Sequence, residues 1–469
     1  MTTRTDATLA AVLSLLLVGS LVGLSSVNSV GATTQATLID SCITINRPGV
    51  YELQGDVANA DTDTCIEIQS DDVVLDGGGH LVDGVRTTIR ADLSAGVEVT
   101  GVRNVTVRNL RLSDWDDGVV YENVSDAAVE GVTASDTDFG VFVSASREVT
   151  VTDSELTDSV SGVVFEGVSS SEITDTIARG NALAGFRLDG TRDVNLSGVT
   201  AAENGGLGAA MLRPDETSAG ILLENATEVR VTGATVVGNV GGISLVNATD
   251  SVVAESSATS NEFGVRFERA EDSRVVGGTY WANEVGLEVV RSPGVNVSDV
   301  TAADNVVGVS LSTGGTAVVD SSVRRNDAAG VLLADARGNL FRNVTVGATT
   351  GTPRFEITGG VVLVNASDNR FVDVTLRASE NWTVYDTGGG ANFFSQVRID
   401  GESDEEDTEA FSFIIRNAAF DVTSEARADD SVGGLSFRAI ATGPDSLLSL
   451  SLEQAGVNES NQTETTRVA

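Results

Sequence analysis

Carboxylates set at a fixed spacing are the residues of this chain best suited to chemistry. Asp114, Asp116 and Asp117 flank Trp115, and Asp136, Asp138 and Asp158 follow at 22-residue intervals. If each interval is one coil of stacked strands, Asp114, Asp136 and Asp158 form one column and Asp116 and Asp138 another, with neighbours about 5 Å apart. Carboxylates at that separation can act as acid and base on a glycosidic bond, or bind Ca²⁺ through oxygen. Asp114, Asp116, Asp136 and Asp138 are thus the catalytic candidates, and Trp115 offers a face on which a sugar ring could stack. Ordinary turn residues on an acidic surface would look the same. Cleaving or epimerising an acidic polysaccharide would also call for Lys, Arg or His near the reacting carbon, and none is adjacent in sequence.

A second candidate set is Arg266, Glu268 and Glu288, which with Glu224 are expected to face outward between two long turns, 205–218 and 348–357. Both turns are inserted at the same point of the repeat, so they would protrude on one side, and loops on a rigid scaffold commonly carry binding residues. Arg266, Glu268 and Glu288 therefore join Trp115 as ligand-binding candidates. Soft-metal chemistry has little to work with: two thiols, Cys42 and Cys65, one histidine, His80, and two methionines. In an exported chain the two cysteines are expected to form a disulfide. In the chain-entropy model it would stabilise the N-terminal end by about 3 kcal/mol. No metal site and no cofactor is assigned, beyond the Ca²⁺ that the carboxylate columns could bind.

The elements that must position these residues follow from a repeat. A Gly followed by an apolar residue recurs from Gly96-Val97 to Gly360-Val361, and eight of the eleven intervals are 22 residues. Counting from the Gly, positions +1, +3 and +11 are apolar, and a third segment centres on +14 to +16, as in Val300 and Ala302. Three short alternating strands in 22 residues leave no room for a helix, and such strands bury a core only by stacking coil on coil. The fold predicted is all-β: a right-handed single-stranded parallel β-helix of about twelve coils with a small C-terminal β unit. A leucine-rich repeat has a similar period but needs a Leu-dominated pattern that is absent. The repeated Gly suits a turn needing positive φ or close approach. A column formed by Asp136, Asp158, Asn181, Asn239, Asn261, Asn283, Asn305 and Asn326 is expected to hydrogen-bond along the solenoid.

The ends divide accordingly. Arg4, the apolar run Leu9 to Leu24 and the small residues ending at Ala32 read as a signal peptide over 1–32. Residues 33–95 form the N-terminal cap and first coils, 96–399 the β-helix, 400–410 an acidic linker, 411–456 the small β unit, and 457–469 a disordered tail. The chain would be extracellular or on the cell surface, not membrane-spanning after cleavage. Its net charge is −39, with acidic residues spread throughout. Such a surface suits strong salt, which screens self-repulsion, and points to a halophilic host. It excludes nucleic acid as a partner, since phosphates would be repelled. Asn-X-Ser/Thr sequons make Asn104, Asn123, Asn195, Asn225, Asn247, Asn296, Asn343, Asn365 and Asn381 glycosylation candidates, with two more, Asn458 and Asn461, in the tail.

Cys42-Ile43-Thr44-Ile45, Pro48-Gly49-Val50-Tyr51-Glu52-Leu53, Cys65-Ile66-Glu67-Ile68 and Val74-Leu75-Asp76-Gly77-Gly78-Gly79-His80, with the coils that follow, resemble exported archaeal NosD-like proteins. The coils also look like the parallel β-helix repeat of carbohydrate-binding proteins and sugar hydrolases. The resemblance covers about residues 40 to 390. It implies a β-helix and, for NosD, a part in copper maturation of an enzyme, for which Cys, Met or His ligands would be expected. Two functions stand: a non-catalytic protein that binds a polysaccharide or lends structure to the cell envelope, and a polysaccharide-active lyase, hydrolase or epimerase.

Overall fold

The computed structural model describes residues 35–85, 94–206, 218–347, 349, 358–377, 379, 381–387 and 389–400. Beyond these it describes the strands Ala410–Arg416, Ala418–Arg427, Ser436–Thr442, Leu447–Ala455 and Thr466–Val468. The expected signal peptide, residues 207–217 and 350–357 of the long turns, and residues 401–409 of the acidic linker lie outside the described residues.

Each coil carries three strands, as in Asp117–Glu122, Ser125–Glu130 and Thr133–Ser135. First strands pair in parallel with first strands of the next coil, second with second and third with third: Val119 with Val141, Val129 with Val151, Ala134 with Leu156. Twelve first strands run from Ala95–Thr100 to Gly359–Val364. No helix interrupts the described residues. At +1 and +3 every side chain is buried, among them Val119, Tyr121, Leu287 and Val289. Position +11 is buried with one exception. In the coil after Gly308 the turn before the second strand is one residue shorter, so Val318 takes the core position opposite Val297 and Val319 turns partly outward.

The repeated Gly is explained by close approach. A Cβ on Gly118 would lie 2.4 Å from the carbonyl oxygen of Gly140, and one on Gly140 2.8 Å from that of Gly162. None of the repeated glycines has positive φ; that conformation falls chiefly to Asp, Asn and other glycines at or near the strand ends. Asp and Asn tolerate it because their short polar side chains bond locally.

The third turn contains a buried asparagine ladder. Asn239 Oδ1 accepts from the backbone N–H and Nδ2 of Asn204, at 2.9 and 2.8 Å, while its own Nδ2 donates to Ala201 O at 3.0 Å. The same pattern runs through Asn181, Asn204, Asn239, Asn261, Asn283, Asn305 and Asn326, and a second ladder through Asn339, Asn369 and Asn392. Each amide satisfies turn backbone that would otherwise be buried and unpaired, at a cost of about 1–3 kcal/mol per group. Asp136 and Asp158 do not belong to this column. They sit one residue earlier, exposed and at φ 56° and 51°, and the ladder position in their coils is held by Thr137 and Ser159.

At the N-terminal end Ile43 pairs with Ile66, which sets Cys42 beside Cys65. The two are joined by a disulfide, with Cα atoms 4.4 Å apart. The C-terminal β unit is continuous with the solenoid: Ala410–Arg416 pairs in parallel with the first strand Trp382–Asp386, and Ser436–Thr442 with Ala410–Arg416. Asn392–Asp400 spans both the second and third strands of the coil below, so these last coils have two long strands each. Phe341, Phe371 and Phe394 stack within this end of the core at centroid distances of 4.7 and 4.3 Å. Within the tail expected to be disordered, Thr466–Val468 instead pairs antiparallel with Leu448–Leu450, where β-prone Thr and Val find an open strand edge.

Candidate functional site

On the first strands, positions +2 and +4 alternate with the core positions and lie on the outer face, where residues one coil apart sit side by side; at +2, Val164, Leu222, Ser244 and Val362 are nonetheless buried. That register sets Arg266 next to Glu288 and places Glu268 two residues along the same strand. Arg266 Nη2 donates to Glu268 Oε2 at 3.1 Å, and its Nε lies 3.3 Å from Glu288 Oε2. Glu268 Oε1 also accepts from Arg269 at 2.7 Å, in the turn that follows its strand, and from Arg291 at 2.9 Å, in the same turn one coil on. The Arg266 guanidinium lies 5.7 Å from the centroid of the Phe263 ring. Burial pushes the Glu288 carboxyl above its ordinary range. The positive charge of Arg266 opposes the shift, and the carboxylates of Glu262 and Glu268 add to it. The sequence-derived candidates Arg266, Glu268 and Glu288 thus converge.

Glu224 lies elsewhere on this face. It accepts from Arg187 Nε at 3.0 Å, and Arg187 Nη2 lies 3.5 Å from Asp189. Arg187 was legible in principle, since it stands at +2 from Gly185 as Arg266 does from Gly264. Aromatic pairs mark the same face: Phe139 and Phe142 stack at 5.4 Å, and Trp382 and Tyr385 sit 5.9 Å apart, tilted by 52°.

The other candidate set is taken apart by its backbone. Asp114, like Asp136 and Asp158, is an exposed turn residue with positive φ. Asp116 caps the strand below by accepting from Ser94 N at 2.8 Å and Ser94 Oγ at 2.9 Å. Asp117 is buried and Asp138 half-buried, each with interactions of its own. Trp115 cannot stack on a sugar, because it is fully buried. It occupies the ladder position, and its Nε1–H donates to Val82 O at 3.0 Å. That is the bond to the coil below that Asn181 Nδ2 makes with Leu156 O. Indole and amide are interchangeable there because both present an N–H toward the same carbonyl column.

No group of three or more His, Cys, Asp or Glu able to hold a metal occurs among the described residues. Copper is not favoured by the residues present: Cys42 and Cys65 are consumed by their disulfide, and His80 Nδ1 lies 3.3 Å from Asp56 Oδ1.

All nine sequon asparagines within the described coils are exposed. Asn123, Asn225, Asn247 and Asn365 share the turn between first and second strands; Asn104, Asn195 and Asn296 lie on second strands; Asn343 follows one. Asn123, Asn225, Asn247 and Asn365 each directly follow a first strand, and Asn381 directly precedes one, ahead of Trp382. The second-strand side also carries an open groove lined by Asp126, Glu148, Thr150, Glu172, Asp193 and Asn195, all acidic or polar side chains.

Residues 95–258 match the family model described as right handed beta helix region, and residues 212–351 and 242–396 match that of NosD, a periplasmic copper-binding protein. No curated protein matches in sequence. Among solved structures, the pre-mature bacteriophage phi29 gene product 12 aligns over 92% of this chain and 70% of its own, at 12% identity and a TM-score of 0.52. The Dettilon tailspike protein aligns over 66% and 61%, at 11% identity and 0.43, so this chain spans about three fifths of that one. The periplasmic alginate epimerase AlgG aligns over 78% and 76%, at 10% identity and 0.37. Identities this low speak to the fold alone. This chain is a right-handed parallel β-helix with sequence similarity to NosD in its later coils.

Proposed function

We propose that this chain is an exported or cell-envelope protein that binds a polysaccharide or another envelope component along the outer face of its first strands. One observation carries the reading. Arg266, Arg269 and Arg291 all hydrogen-bond to Glu268, with Glu288 ion-paired to Arg266 and the Phe263 ring beneath its guanidinium, on one paired strand face. Rigidly held guanidinium and carboxylate groups suit hydroxyl pairs, and the half-buried rings of Phe142 and Tyr385 on the same face suit the apolar face of a sugar. The similarity to the periplasmic NosD family is consistent with such a location. The exposed sequon asparagines would carry glycans on the second-strand side and along the edge of this face, where Asn247 Oδ1 accepts from Arg269 Nε at 2.7 Å; peptide mapping of the exported chain by mass spectrometry would check which are occupied. A glycan-array screen in molar salt tests the binding itself. Binding that Arg266→Ala abolishes supports the reading, and an array with no binder contradicts it.

A second reading, a polysaccharide-active enzyme, is favoured by one observation. Glu288, holding its proton above the ordinary range, lies against the same guanidinium as Glu268, and two carboxyl groups so differentiated suit general acid and base roles. Release of reducing ends from a bound polymer, lost in Glu288→Gln, would favour it over pure binding.

A further inference from the structure

We infer that the polymer bound on this face is an uncharged polysaccharide, laid along the solenoid axis. The inference rests on the glycan-binding reading above and narrows its ligand to one class.

The first argument is charge. Every described arginine on this face is already committed to carboxylates: Arg187 to Glu224 and Asp189, Arg266 to Glu268 and Glu288, Arg269 and Arg291 to Glu268. Around Arg266 three arginines face Glu262, Glu268 and Glu288, so the network is neutral. Around Arg187 a single arginine faces Glu166, Asp189 and Glu224, which leaves an excess of negative charge. A uronate carboxylate arriving here would lose its hydration without gaining a cation, and would meet like charges. Strong salt weakens the long-range repulsion but not the desolvation cost. Hydroxyl groups meet neither penalty and can both donate to the carboxylates and accept from the guanidinium groups.

The second argument is spacing. The half-buried Phe139–Phe142 pair lies on the first strand five coils before that of Phe263 and Arg266, and the half-buried Trp382–Tyr385 pair lies five coils after it. At ~4.8 Å per coil the three stations are about 24 Å apart. Rings at such intervals, with a polar network at the midpoint, suit a long chain and exceed the reach of a monosaccharide. None of the described first-strand positions between the two ends is itself a sequon asparagine, and Asn225, Asn247 and Asn365 border the track at the strand ends.

The test uses the full exported chain in molar salt, with dextran and galactomannan as neutral probes and polygalacturonate and alginate as acidic ones. A neutral polymer should bind and neither uronate polymer should. Affinity for neutral oligosaccharides should rise with length well beyond the disaccharide. Phe142→Ala and Tyr385→Ala should each weaken long-chain binding by roughly threefold to tenfold while leaving short oligosaccharides unaffected. Uronate binding as tight as neutral binding would overturn the ligand class and leave the glycan-binding reading standing. Binding of neither class would sink the glycan-binding reading itself. An affinity that stops rising at a disaccharide, a readout needing no variant, would overturn the axial track.

Discussion

Two charged regions of this molecule obey the same 22-residue period and end in different circumstances. At the third turn, Asp114 is exposed with φ 58°, Trp115 is buried behind it and Asp116 caps Ser94. On the first-strand face, Arg266 reaches Glu268 along its own strand and Glu288 in the next coil. In the turn, each polar group is used to satisfy or shape backbone. On the strand, the backbone ladder already satisfies itself, so the outward side chains are left to pair with each other and with a ligand. A period therefore reveals which residues stack, while the local backbone decides what the stack is used for.

The sharpest way to break this comparison is to disturb the turn and watch the face. Trp115→Ala would remove the largest buried side chain and take from Val82 O its indole donor, and should cost about 3–5 kcal/mol of stability. Denaturant unfolding measures the loss, and ligand affinity of the folded protein should not change. Asn261→Ala is expected to be milder. It leaves Asn239 N–H and Val236 O without their ladder partners, at about 1–3 kcal/mol for each group. A loss below 0.5 kcal/mol would mean that water replaces the amide and that the ladder is dispensable.

The face responds to pH instead. Glu288 has a carboxyl pKa raised above its unfolded value of 4.5, so the folded state binds the extra proton between the two values. Stability from this group is greatest below the unfolded pKa and falls as pH rises through the raised one. Glu288→Gln should remove that decline, so the variant should gain on the parent as pH increases above 4.5. Thermal unfolding over a pH series measures it, and parallel curves for the two proteins would contradict the buried carboxyl.

How much was legible beforehand follows from the same physics. The Gly period and the apolar positions +1 and +3 translate directly into the buried column, because alternation has one structural solution once coils stack. The Arg266 set was legible because outward strand positions are countable from the Gly. The turn is harder to read: inward and outward residues are consecutive there, so the period points to Asp136 where Thr137 holds the ladder, and to a surface ring at Trp115 where the indole is buried. Asn204 was missed since the long turn that follows it separates it from Gly220. Val319 was misplaced because a one-residue shortening before the second strand is compensated later in the same coil, leaving the Gly interval unchanged.

The central claim is that the ligand face is the outer surface of the first strands and not the carboxylate turn. Paired measurements on Glu268→Gln and Asp136→Asn test it most directly, each titrated with the same polysaccharide in the same molar salt. Glu268→Gln removes the carboxylate shared by three arginines and should weaken binding by roughly tenfold or more. Asp136→Asn alters an exposed turn residue in a conformation that Asn tolerates, and should change neither binding nor stability beyond about 0.5 kcal/mol. The reverse order, with binding lost in Asp136→Asn and kept in Glu268→Gln, would contradict the account.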